Sequence, residues 1–284
     1  MSSSIITARA RPPAPRPATW KPRLVVACGQ MEVTPDIAAN RAVILRQMRE
    51  AKRDHGAGLI VFPETSLSGY APVHHLPPPE GAASIDFPAL TRALADVRSA
   101  ARALRIAVVV GTTTRSAGRL FNSAVAVDAR GRATARYDKQ HLMPMDRTCF
   151  TPGAARLRPA RLAGTRAGLQ ICFDMRFPEP WRILALAGAR LFLHPTYCVG
   201  RDQLWKRAAV EANLSSRASE NSCWLASANA AGPCQFVSSR IIDPDGLVIA
   251  RAQDDAEQVI SAAIDPAWMG RSGGFLAVRR RDLE

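Results

Sequence analysis

The feature that most restricts what this chain can fold into is an alternation of short apolar runs with stretches of helical period. Leu24 to Cys28 reads as a strand, and Thr34 and Pro35 then read as an N-cap and a first helical residue. Ile37, Ile44, Met48 and Ala51 fall on one face of the helix that follows, which stops at Gly56. Gly58 to Phe62, GLIVF, is a second strand. Leu90, Leu94, Val97, Ala101 and Leu104 recur at spacings of four and three, forming an amphipathic helix that leads into a strand from Ile106 to Val110. Strands that alternate with covering helices predict a parallel sheet of the α/β class.

The pattern changes in the middle, where Leu120 to Val127 and Thr134 to Tyr137 flank the hairpin sequence Asp128-Ala129-Arg130-Gly131. Antiparallel strands join the sheet there. Alternation then resumes with a strand from Gly168 to Cys172, a helix around Trp181 to Ala187 closed by Gly188, and a strand from Arg190 to His194. A helix across Leu204 to Ala218, a strand from Cys223 to Ala228, a hairpin at Asp245-Gly246 and a last strand from Gln258 to Ile264 complete it. The 284 residues contain no internal repeat and no interior low-complexity linker. One domain over residues 24–284 is expected, preceded by a flexible basic arm rich in Pro and Arg over residues 1–23.

That arm lacks the apolar core of a secretory signal, and no run of 18 apolar residues occurs anywhere, so a cytoplasmic protein without a membrane span is expected. The formal charge of +14 raises the question of nucleic acid, and its distribution answers it. The arm supplies +5 and the residues from Arg271 onward supply +2, leaving +7 for the body. The body has no basic helix with interleaved aromatics, so nucleic acid is not an expected partner. Six cysteines are spread without a C-x-x-C pair or a histidine at ligand spacing, so neither a disulfide framework, a metal site nor a cofactor is expected.

Three residues stand at predicted strand ends, where α/β sheets collect ligands. Glu64 follows the strand GLIVF and a proline, Lys139 ends RYDK, and Cys172 ends GLQIC beside Asp174 and Arg176. Singly, each has an ordinary reading: a loop glutamate, a solvated lysine, a core cysteine. Together they are a base, a cation and a nucleophile, the set that acyl transfer needs. A carboxylate takes the thiol proton, the thiolate attacks a carbonyl or nitrile carbon, and the ammonium steadies the oxyanion. A free thiol has a pKa of about 8.5, within reach of tuning, and burial raises a glutamate toward neutrality. Two other readings stay open at this point. Cys172 could pair with His141 or His194 in a papain-like arrangement, or the chain could be a non-catalytic interaction protein that keeps the fold.

The segments GLIVFPETSLSGY, RYDKQHLMP and GLQICFDMRFPE resemble, in that order, the three signature blocks of the nitrilase or carbon–nitrogen hydrolase superfamily. Their separations, 75 residues from Glu64 to Lys139 and 33 from Lys139 to Cys172, are similar too, and the likeness extends from about Leu24 to Asp265. The resemblance implies a four-layer α-β-β-α sandwich, with Glu64, Lys139 and Cys172 as a catalytic triad working through a thioester. It also implies the backbone N–H of Phe173 as an oxyanion donor, and a homodimer or higher homo-oligomer to which the chain after Ile264 contributes. Many relatives carry a second glutamate where this chain has Asp146, a shorter carboxylate taken here as a further support for the site.

Narrow-sense nitrilases follow the cysteine with Trp-Glu, whereas this chain has Phe173-Asp174, which favours an amide or N-carbamoyl substrate over a nitrile. Arg176 stands where some N-carbamoyl amino acid hydrolases hold a substrate carboxylate, a task suited to the planar guanidinium. A salt bridge to Glu179 or Asp174 is its alternative. The expected function is hydrolysis of a small linear amide or N-carbamoyl compound with release of ammonia.

Overall fold

Two mixed sheets meet at the first strand in the computed structural model, which describes residues 23–74 and 84–271. In chain order the strands are β1 (Leu24–Glu32), β2 (Leu59–Val61), β3 (Ala107–Ser116), β4 (Arg119–Val127), β5 (Ala133–Asp138), β6 (Ala160–Leu162), β7 (Thr165–Leu169), β8 (Leu191–Thr196), β9 (Trp224–Ala231), β10 (Arg240–Ile242), β11 (Val248–Arg251) and β12 (Gln258–Ile264). One sheet runs β5-β4-β3-β2-β1-β12 and the other β11-β10-β9-β8-β7-β6. They join where Met31 and Glu32 of β1 pair with Ala230 and Ala231 of β9. Apart from the single helical turn Ala71–His74, the helices of the described residues are α1 (Ile37–Arg53), α2 (Phe87–Leu104), α3 (Pro178–Leu186) and α4 (Arg207–Ser219).

Period-two alternation builds the layers. Val26, Cys28, Leu59, Val61, Ala107 and Val109 face the second sheet and share a core with Leu191, Leu193, Trp224 and Ala226. Their neighbours Ala27, Ile60, Phe62, Val108 and Val110 pack under Ile44, Met48 and Ala51 of α1 and Leu90, Val97 and Ala101 of α2. Trp181 and Leu184 of α3 and Val210 and Leu214 of α4 cover the second sheet. The result is the expected α-β-β-α order of layers.

Several boundaries differ from the sequence reading. The N-cap of α1 is Asp36, not Thr34: its carboxylate accepts from the N–H groups of Ala38 and Ala39, worth about 1 kcal/mol. Thr34 serves Asn40 instead, through its hydroxyl and backbone. β3 runs on to Ser116 and forms a long antiparallel pair with β4, so the polar run Gly111-Thr112-Thr113-Thr114 is strand rather than loop. The helix expected from Leu204 begins at Arg207, after a 3-10 segment over Arg201–Lys206. Of the basic arm, residues 1–22 lie outside the described residues, as do residues 272–284 of the tail and 75–83 of the loop after Tyr70. Among the described residues no helix is long and apolar enough to cross a membrane.

β1, β2 and β3 are parallel to one another and, through β9, to β8 and β7. Two antiparallel steps return β5 to the same direction. The carboxyl ends of β2, β5, β7 and β8 therefore open toward one rim of the sandwich, which is where the site lies.

Candidate active site

Glu64 stands three residues past β2, and its backbone is fixed before its side chain is considered. Its N–H reaches Thr196 O at 3.3 Å, and Thr65 follows in the left-handed region at φ 50°. Gly111 of β3 lies against this turn so closely that a Cβ there would sit 2.2 Å from Pro63 O and 2.4 Å from Thr65 N. Lys139 is held similarly, by Lys139 N to Asn122 O at 2.8 Å and Gly153 N to Lys139 O at 2.9 Å.

The two side chains meet inside the protein. Lys139 Nζ lies 2.7 Å from Glu64 Oε1 and 2.8 Å from Asp146 Oδ2, with all three side chains shielded from solvent. Asn122 donates to the same Glu64 oxygen at 2.7 Å, and Tyr70 OH donates to Asp146 Oδ1 at 2.7 Å. Asp146 thus stands on the ammonium despite its shorter side chain, because the 3-10 turn Asp146–Thr148 brings its backbone close: Met143 N donates to Oδ2 at 3.0 Å. Lys139 is no solvated surface charge.

Cys172 does not end a strand. The ladder stops at Leu169, and Cys172 opens a 3-10 turn (Cys172–Arg176) with φ 43°. Gln170 and Ile171 stay buried past the last ladder pair, Leu169 with Leu193, which is why the sequence reads as one strand. Asp174 ties this turn to the strand-end segment that carries Lys139. Its Oδ2 accepts from Ile171 N at 2.9 Å and Tyr137 OH at 2.7 Å, while Oδ1 contacts His141 N at 3.0 Å and Nδ1 at 2.8 Å.

The electrostatics follow from burial with one cation between two carboxylates. Burial pushes Glu64 well above the usual carboxylate range; the Cys172 thiol and Asp146 push the same way, and Lys139 opposes them. Burial works against the Lys139 charge, but Glu64, Cys172 and Asp146 together hold the ammonium protonated well above the ordinary lysine range. The Cys172 thiol is raised by its contact with Cys198 and by burial, against the pull of Lys139. Burial thus biases both the Cys172 thiol and the Glu64 carboxyl toward their protonated forms, with the Lys139 ammonium opposing it.

Cys172 and Phe173 open onto a cavity of about 400 Å³, with Tyr70, Met143, Met175 and Phe236 among its apolar walls and Arg176, Arg201 and Lys206 among its polar ones. Arg176 makes no ion pair with Asp174 or Glu179; the Asp174 carboxylate is occupied by Tyr137, His141 and the Ile171 N–H. Neither histidine of the papain-like reading has a hydrogen bond to the Cys172 thiol: His141 is on Asp174, and His194 is on Cys172 O and Ser227 Oγ. Among the described residues no group of three or more His, Cys, Asp or Glu could hold a metal ion. Asn122, Thr196, Gly111 and Gly153 belong to the site and carry no motif of their own in the sequence.

The family model for carbon-nitrogen hydrolases matches residues 25–272. The chain belongs to the carbon-nitrogen hydrolase family. Hydrolysis of carbon–nitrogen bonds is its reaction class. This carbon-nitrogen hydrolase is 33% identical over 261 residues to a hydrolase of Pseudomonas protegens, covering 87% of this chain and 86% of that one. It is 33% identical over 213 residues to an (R)-stereoselective amidase of a Pseudomonas species, covering 73% of each. Among solved structures it is similar to a variant of the amidase from Nesterenkonia sp. AN1 that carries the acetamide moiety of fluoroacetamide covalently on its active-site cysteine. The TM-score is 0.78 at 26% identity, over 92% of this chain and 95% of that one.

Proposed function

We propose that this carbon-nitrogen hydrolase cleaves a small linear amide or N-carbamoyl compound, releasing ammonia, with Cys172 as nucleophile, Glu64 as general base and Lys139 as the cation that stabilises the oxyanion. The carrying observation is the ammonium of Lys139 held between Glu64 and Asp146 and coupled electrostatically to Cys172, which itself lines a cavity open to small molecules. Glu64 Oε1 is occupied by Lys139 and Asn122, whereas Oε2 has no hydrogen-bond partner among the described residues, which leaves it the oxygen to exchange protons.

In the first half-reaction Glu64 takes the thiol proton as sulfur bonds to the carbonyl carbon. The negative charge on the carbonyl oxygen is met by Lys139 and the N–H of Phe173. Collapse breaks the C–N bond, and the proton on Glu64 goes to the departing nitrogen. In the second half a water gives a proton to Glu64 and its oxygen to the thioester carbon, the C–S bond breaks, and the proton returns to sulfur. A base that alternates between taking and giving a proton works best near the ambient pH, the direction in which burial moves Glu64.

Arg176, Arg201 and Lys206 at the cavity, against the single acidic side chain of Asp202, favour a substrate with a carboxylate at the end remote from the amide, the apolar wall taking the chain between. The related amidases support an amide over a nitrile. A cytoplasmic setting is part of the proposal, since all six cysteines are free thiols, as a reducing compartment allows. So is self-association: Ile183 on α3 is 49% exposed, an apolar side chain that a second copy would cover.

Ammonia release from ω-amides, N-carbamoyl amino acids, neutral aliphatic amides and nitriles tests the assignment. Turnover of the anionic amides or carbamoyl compounds above the neutral ones is expected. Turnover of nitriles alone overturns it.

A further inference from the structure

His194 Nε2 lies 3.1 Å from the carbonyl oxygen of Cys172, and its Nδ1 lies 2.9 Å from Ser227 Oγ. A carbonyl oxygen only accepts, so Nε2 carries the ring proton and Nδ1 takes the hydroxyl proton of Ser227. Burial lowers the His194 pKa to about 4, so the ring is neutral near pH 7, and this tautomer alone satisfies both contacts. A fully buried histidine with both nitrogens engaged is spent as a base for the thiol. It is well placed for something else.

Cys172 occupies the left-handed region at φ 43°, a conformation that costs a non-glycine residue about 1–3 kcal/mol unless its surroundings enforce it. Asp174 enforces one flank of the turn through Ile171 N at 2.9 Å, and Trp181 Nε1 holds the Asp174 carbonyl at 3.0 Å. The peptide between residues 172 and 173 is gripped by His194. That peptide is planar and trans, so the Cys172 C=O and the Phe173 N–H point in opposite directions. Fixing the carbonyl on one side fixes the N–H on the other.

We propose that His194, steadied by Ser227, is a positioning residue for the hydrolysis: it holds the Cys172 carbonyl so that the N–H of Phe173 is aimed at the oxyanion. The inference rests on the reading of Phe173 N–H as an oxyanion donor given above. It explains a polar ring in the middle of the buried strand β8, where an aliphatic residue would pack against Trp181 as well.

The test separates aiming the N–H from making the thiol reactive. Amide hydrolysis builds an oxyanion; alkylation of Cys172 by iodoacetamide, a displacement at a saturated carbon, does not. For His194→Leu, kcat is expected to fall about 100-fold, the scale of one lost oxyanion donor, with KM and the alkylation rate within about 3-fold of the parent. His194→Gln, whose amide N–H can reach as Nε2 does, should recover most of the loss. Should His194→Leu fail to fold, Ser227→Ala takes its place; freed from the hydroxyl, the ring loses its second anchor, and kcat is expected to drop about 10-fold at unchanged alkylation rate. Parent-like kcat in the folded variant, or alkylation falling in step with kcat, overturns the proposal. Cys172→Ala distinguishes the two layers: if it retains activity the reading of the site itself fails, and if it is inactive while the His194 and Ser227 variants are parent-like, only the present inference fails.

Discussion

Lys139 Nζ contacts one oxygen of Glu64, Oε1, at 2.7 Å, and the other oxygen, Oε2, is buried without a hydrogen-bond partner among the described residues. The ammonium orients the carboxylate without consuming its second oxygen, and that division of labour sets the outcome of substituting either residue.

Glu64→Gln keeps a carbonyl oxygen for Lys139 and Asn122 and replaces the proton-exchanging oxygen with an amide nitrogen. Steady-state ammonia release should fall by about 10²–10⁴-fold, the usual worth of a general base, while the melting temperature stays near that of the parent. Calorimetry and a coupled ammonia assay on the same preparation check both halves.

Lys139→Met leaves Glu64 and Asp146 facing each other in the interior. Removing one partner of a buried ion pair costs about 3–5 kcal/mol. In this variant Glu64, already raised by burial, loses the ammonium that opposes the shift and binds its proton more tightly folded than unfolded, where it titrates near about pH 4. Proton uptake then accompanies folding, so stability falls as pH rises above that value. Urea denaturation should show a larger deficit at pH 7.5 than at pH 5; an equal deficit would mean that Lys139 does not compensate the pair.

Asp146→Asn removes one of the charges that raise Glu64. Asn fits if its oxygen faces Lys139 and Met143 N and its NH₂ faces Tyr70 OH, which accepts as well as donates. The Glu64 pKa should drop, and the acidic limb of the kcat/KM profile, where the base becomes protonated, should move to lower pH. A limb that stays in place or moves up would detach Asp146 from Glu64.

The strands and helices that set the sandwich were legible because their side chains repeat with periods of two and of about 3.6 along the chain. Glu64 and Lys139 were legible as polar residues just past strands, whereas Cys172, expected at the end of a strand, opens the 3-10 turn that follows it. What the sequence hid depends on distant partners. Asn122 meets Glu64 across 58 residues of chain, and His194 meets Cys172 across 22. Nothing local in LFLHPT distinguishes a ring that grips a carbonyl from one that is merely packed. The left-handed turn at Cys172 was hidden for a different reason, since Gln170 and Ile171 stay buried past the last ladder pair, Leu169 with Leu193.

Gly111 makes the same point from the side of packing. A methyl group there meets the backbone of Pro63, Glu64 and Thr65, none of which can swing aside as a side-chain tip would. Gly111→Ala is expected to cost about 1–3 kcal/mol and to displace Glu64, lowering kcat as well as the melting temperature. Loss of stability with unchanged kcat would show that the turn carrying Glu64 yields without moving the carboxylate.

In the proposed cycle one sulfur, that of Cys172, carries the acyl group. Trypsin separates Cys172 from Cys198, since the peptide of residues 167–176 contains only the first. Treating the protein with fluoroacetamide and weighing its tryptic peptides should place one equivalent of label on residues 167–176, in step with loss of amidase activity, and none in Cys172→Ala. Label on the Cys198 peptide at full inactivation, or amide turnover surviving in Cys172→Ala, would contradict the account.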